Sequence, residues 1–238
     1  MLDAVKKQWK VLRRDWIVGY IATLVGGAAG IAVMMLLMLE PEAKHYVAMG
    51  TVIGGLLACV FILFTTGMGF GPIFSLEVGF GCTRKHFFVS YYLVNLAYGL
   101  LDIPILAGIC ILEQALYSRL YRDCTNGMEL LPWLPLLGGA LCLGLTLAGV
   151  LAALVIMRFG RPARLGIWLV WMAVVLLLPE LVSAAEDVPD SAFGWAGRQL
   201  LRLAGMFSAA QWIGFGIGAG ALCLWLSWRM TCRQQVNG

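Results

Sequence analysis

Acid–base, nucleophilic or metal chemistry in this chain would fall to two histidines, seven cysteines and thirteen acids among 238 residues. Their spacing argues against most of it. His45 and His86 stand alone beside loops predicted on opposite faces of a membrane, so neither H-E-x-x-H nor a serine–histidine pair can form. Cys59, Cys82, Cys110, Cys124, Cys142, Cys223 and Cys232 are odd in number and contain no C-x-x-C, so they imply neither a disulfide framework nor a zinc site. One acid is placed differently. Asp102 lies in the apolar run YLVNLAYGLLDIPILAGI, with Asn95 seven residues before it and Pro104 two after. An ionised carboxylate at such depth costs roughly 2.5–3.5 kcal/mol on insertion scales, so it faces other helices or water. Asn95, Asp102 and Pro104 are therefore candidates either for a polar point on a translocation path or for an interhelical hydrogen-bond site that fixes packing.

The elements that position these residues are helices in a membrane. Hydrophobic residues make up 61% of the chain, charged residues 13%, and mean hydropathy is +0.86; soluble domains carry about a quarter charged residues. A span takes roughly 20 apolar residues. Apolar runs predict six, at residues 17–38, 46–68, 89–112, 133–157, 165–182 and 209–228. The expectation is an all-α, polytopic, multi-pass protein, residues 1–238 forming one transmembrane domain in a cell membrane, with the lipid bilayer as its first partner.

Lys and Arg collect on cytoplasmic segments. The N-terminal segment, the second and fourth loops and the C-terminal tail hold twelve of the seventeen cations, among them Lys6, Lys7, Arg13, Arg84, Lys85, Arg161 and Arg229. The other face holds five, Lys44, Arg119, Arg122, Arg198 and Arg202, with nine acids that include Glu40, Glu42, Glu113, Asp123 and Asp190. Both termini are thus predicted to be cytoplasmic, and the net charge of +4 reads as a positive inner face with no nucleic-acid partner.

Three segments lie outside the spans. Residues 1–16 place Leu2, Val5, Trp9, Leu12 and Trp16 at helical spacing among cations, the pattern of a helix lying in the inner interface. In the outer loop, 183–208, Phe193, Ala196, Leu200, Leu203 and Phe207 can share one amphipathic helical face. Between them, at 73–88, GFGP breaks the second span, Ile73, Leu76 and Phe80 recur at helical spacing, Gly79 and Gly81 permit a bend, and Thr83 caps a helix that begins at Arg84.

The stretch GCTRKHFF resembles the cytoplasmic turn between spans two and three of the small permease subunits of type-2 ABC transporters. The six-span layout, with both ends inside and amphipathic segments at the N-terminus and before the last span, is similar to that family. The resemblance implies a short inner-surface coupling helix that docks into a cytosolic ATP-binding subunit. Ser75, Leu76, Glu77, Gly81, Thr83, Arg84 and Lys85 would carry the coupling, and the transporter would be a dimer with a second permease copy or homologue. It further implies an exporter of an amphipathic or hydrophobic substrate, such as an antimicrobial peptide, drug or lipid, in a bacterial cytoplasmic membrane. The chain has no G-x-x-x-x-G-K-[ST] phosphate loop, so ATP and Mg belong to the partner ATPase and no enzyme or cofactor site is expected here. Two other classes stay open: an ion-driven secondary transporter, and a non-transporting membrane anchor or sensor subunit.

Overall fold

The computed structural model describes residues 2–38, 45–121, 125–126, 129–187, 192–206 and 208–233. They are nearly all helical: α1 (Leu2–Leu37), α2 (Met49–Gly79), α3 (Arg84–Leu120), α4 (Leu134–Phe159), α5 (Arg161–Asp187), α6 (Ala192–Gly205) and α7 (Ala209–Arg233). Two-residue strands, β1 (His45–Tyr46) and β2 (Thr125–Asn126), pair in parallel. Among the described residues, five helical segments are long and apolar enough to cross a membrane: Asp3–Leu37, Met49–Gly79, Arg84–Leu120, Leu134–Phe159 and Ile213–Arg233. Helix α5 covers the expected fifth span but is not among these five. The charges expected outside at Glu40, Glu42, Lys44, Arg122, Asp123 and Asp190, together with Cys124 and Phe207, lie outside the described residues.

The chain forms two compact units, residues 1–153 with 227–238, and residues 154–226. In the first, α1 corrects the sequence reading. The expected surface helix of residues 1–16 and the first span are one unbroken helix of 36 residues. Its buried stripe runs Gln8, Leu12, Trp16, Gly19, Thr23, Gly30 and Met34, so Trp16 is enclosed among helices while Lys6, Lys10, Arg13 and Arg14 face outward. The stripe continues at a four-or-three residue period through both halves, which gives the chain no reason to turn at the membrane surface.

Helices α1 and α2 approach closely where glycines face each other. A Cβ on Gly30 would sit 2.5 Å from the Gly50 Cα, and one on Gly50 would sit 2.5 Å from the Gly27 carbonyl oxygen. Small residues permit this approach, which van der Waals packing rewards in lipid.

Helix α2 also departs from expectation. It runs 31 residues through Gly67, Gly69, Gly71 and Pro72 without a break, so no separate helix lies across the surface at residues 73–80. The clamp is aromatic. Phe70 and Phe74 of α2 interlock with Phe87 and Tyr91 of α3, ring centroids 5.2–5.3 Å apart across the pair, all four fully buried. The Tyr91 hydroxyl donates to the carbonyls of Thr66 and Thr65, at 3.1 and 3.3 Å, about two turns before the proline. Pro72 removes one N–H from this helix, and α2 continues through it with the aromatic clamp packed on either side.

The opposite end of the unit is gathered by the β1–β2 pair, and Tyr46 packs with Met34, Met38 and Tyr117. In the second unit, Gly160, at φ +69°, separates α4 from α5, and α6 packs on α5. Helix α7 opens on a reciprocal cap: Ser208 N–H donates to Gln211 Oε1 at 2.8 Å, and Gln211 N–H donates to Ser208 Oγ at 3.3 Å.

Candidate functional site

The α2–α3 turn is built by local rules. Cys82 N–H donates to the Glu77 carbonyl at 3.0 Å and Gly81 N–H to the Val78 carbonyl at 3.1 Å, with Gly81 at φ +88°. Those two bonds and the left-handed glycine make a Schellman stop for α2. Thr83 then starts α3, its Oγ1 accepting from His86 N–H at 3.4 Å. The bend at Gly81 and the Thr83 cap were both legible in the sequence.

Of the seven residues assigned to coupling, Ser75, Leu76, Gly81, Thr83 and Lys85 are exposed. Glu77 and Arg84 are engaged inside the chain. Gln8 Nε2 donates to Glu77 Oε2 at 3.3 Å, and Arg84 donates to the Cys232 carbonyl at 3.2 Å, closing the last turn of α7. Sequence reasoning set Phe80 on a helical face with Ile73 and Leu76 but did not assign it to the coupling contact. It is 85% exposed at the tip, beside Leu76 at 59%, with Lys85 and His86 open nearby. The GFG triplet alone gave no signal, since Phe70, at the centre of an identical triplet, is fully buried in the aromatic clamp.

A second set of polar residues lines one face of α3: Asn95, Tyr98, Asp102, Glu113 and Tyr117, spaced so that each faces the other helices. Trp16 Nε1 donates to Asn95 Oδ1 and Thr23 Oγ1 to Asp102 Oδ1, both at 3.3 Å. Both pairs lie 79 residues apart in sequence, so α1 and α3 pack in parallel at a fixed register. Asn95 also donates to the Tyr91 carbonyl at 2.8 Å, which makes it a packing residue. Pro104 lies inside α3, which continues through it.

Glu113 corrects the sequence reading a third time. Expected in an outer loop, it lies within α3 and is fully buried. Its carboxylate accepts from Gly50 N–H at 2.6 Å, Thr51 N–H at 2.8 Å, Thr51 Oγ1 at 2.7 Å and Tyr117 Oη at 3.1 Å. Ala48, at the N-cap of α2, has no side chain that can cap, and Glu113 takes over that role from another helix. Asp102 is thus not the only buried acid, but it is the less satisfied of the two.

Compared with family models, curated proteins and solved structures, the chain matches none.

Proposed function

We propose that this chain is the membrane-spanning permease subunit of an ABC transporter, exporting an amphipathic or hydrophobic substrate across a bacterial cytoplasmic membrane. A separate cytosolic ATPase drives it, and a second permease copy or homologue completes the path. The observation that carries the reading is the tip of the α2–α3 hairpin. Exposed Phe80 and Leu76 beside Lys85 form an apolar and cationic knob, held on a rigid Schellman turn above the aromatic clamp. An exposed aromatic with a basic neighbour is the kind of anchor a protein partner buries. The docking element in this reading is the hairpin tip itself, in place of a helix lying on the surface.

Six crossings are supported by parity. Gln8 meets Glu77 and Cys232 meets Arg84, so the early part of α1 and the last turn of α7 lie at the turn end of the first unit. An even number of crossings fits that placement, with α5 read as the sixth. The cations gathered at that end favour a cytoplasmic placement. Helix α6 is amphipathic and falls within residues 183–208, the segment this reading takes as the outer one. Against an ion-driven carrier, Glu113 is saturated by its four donors, which leaves Asp102 as the one buried acid among the described residues with an acceptor to exchange.

The test is purification from native membranes followed by reconstitution with whatever ATPase accompanies the chain. Phe80→Asp and Lys85→Glu should each lower permease-dependent ATP hydrolysis at least tenfold with insertion intact. Lys85 is a cleaner probe than Arg84, which also holds α7. Absence of any ATPase, or unchanged hydrolysis in both variants, would overturn the reading.

A further inference from the structure

Between α2, α3 and α4 of the first unit lies a cavity of about 240 Å³. Its rim is exposed: Leu56 at 62%, with Trp133 and Leu137 similarly open. Its floor is closed by Ala58, Cys142 and Asp102, each with 3–4% exposure. Apart from buried Thr51, whose hydroxyl is spent on Glu113, the cysteine thiols and the Asp102 carboxyl, the named lining side chains are apolar. The floor therefore presents one acid at the end of an oily slot.

The Asp102 carboxyl is poorly matched to its own surroundings. Thr23 Oγ1 has one proton and two acceptors in range, the Gly19 carbonyl at 3.1 Å and Asp102 Oδ1 at 3.3 Å. Asp102 Oδ2 takes no hydrogen bond from the described residues, and among them no Lys or Arg pairs with it. A buried carboxylate without a counter-charge is costly. A group that brings a positive charge and hydrogen-bond donors into the slot would relieve that cost, and the apolar walls require the rest of that group to be hydrocarbon.

We infer that this cavity is a binding site for a small lipophilic monoamine, its ammonium group on Asp102 and its alkyl chain along α2 and α4 toward Leu56 and Leu137. Size limits the ligand. The volume is below the roughly 300–1,000 Å³ of pockets for drug-sized molecules. Along α2 the lining spans Thr51 to Ile62, about 16 Å at 1.5 Å per residue, enough for an eight-carbon chain. The inference does not depend on the ATPase partner, because the site lies within one chain.

The experiment uses the full chain in nanodiscs and n-octylamine, with n-octanol and octanoate as equal-length controls, read as the shift in thermal unfolding against ligand concentration. Octylamine should stabilise the chain saturably, and octanol and octanoate should not. Asp102→Asn should weaken octylamine binding at least tenfold. Gly55→Leu should do the same by filling the slot, since a Cβ at Gly55 meets only Leu106 Cδ1, at 3.9 Å. If octanol equals octylamine, the slot is merely apolar and the inference fails. It fails also if octylamine gives no saturable shift, or if either folded variant binds it like the wild type. The alcohol control tests the inference even where a variant does not fold.

Discussion

Two buried acids on one face of α3 have opposite fates, and the difference lies in the company each keeps. Glu113 meets four donors at the start of another helix, so its charge is solvated by protein. Asp102 meets one shared hydroxyl. Glu113→Ala should strand two backbone N–H groups in a dry interior, at about 1–3 kcal/mol for each unmade bond. Glu113→Gln, which keeps one acceptor oxygen, should cost less. Thermal unfolding in detergent checks the order, and equal stability of both variants with the wild type would contradict the capping role. Asp102 was legible in the sequence because it interrupts an apolar run. Glu113 was not: it falls at the run's end, where an acid reads as a loop residue, and the helix start it caps lies more than sixty residues away.

At the scale of the helix, local chemistry was readable and continuity was not. Gly81 and Thr83 act within a few residues of themselves, and the turn they make follows from their types alone. Whether GFGP ends a helix depends on Phe87 and Tyr91, which arrive only when α3 folds back. Likewise, residues 1–16 carry a surface pattern, yet Trp9 stacks on Tyr98 at 4.1 Å and Trp16 on the same ring at 5.6 Å, which packs this part of α1 against α3. Close approach of α1 and α2 can be tested by contrast between two glycines of α2. Gly50→Ala should destabilise by about 1–3 kcal/mol or more, because the added methyl meets backbone. Gly55→Ala should be near neutral, its only neighbour being 3.9 Å away. Comparable losses in both would argue against glycine-mediated contact.

For the whole molecule, orientation is the quantity most open to test, and Cys82 reports it. Its thiol sits in the turn, where partial burial first and the Glu77 carboxylate second push its pKa above the ordinary value, partly opposed by Lys7. The thiolate is the reactive form, so a membrane-impermeant maleimide should label Cys82 slowly at neutral pH and faster as pH rises. Glu77→Gln removes a raising influence and should speed labelling at a given pH. With the other cysteines replaced, labelling is expected only from the cytoplasmic side; labelling from outside would invert the topology. The parallel pairing of β1 with β2 bears on motion as well. It joins the segment just before α2 to the segment just after α3, pinning the hairpin at one end and leaving Phe80 at the other. A rod of 31 residues is about 46 Å long, so a rotation of about 10° about that pin would sweep the free end about 8 Å. The Gln8–Glu77 and Arg84–Cys232 bonds oppose such a swing, so any stroke of the far extremity would have to carry α1 and the last turn of α7 with it or break those bonds.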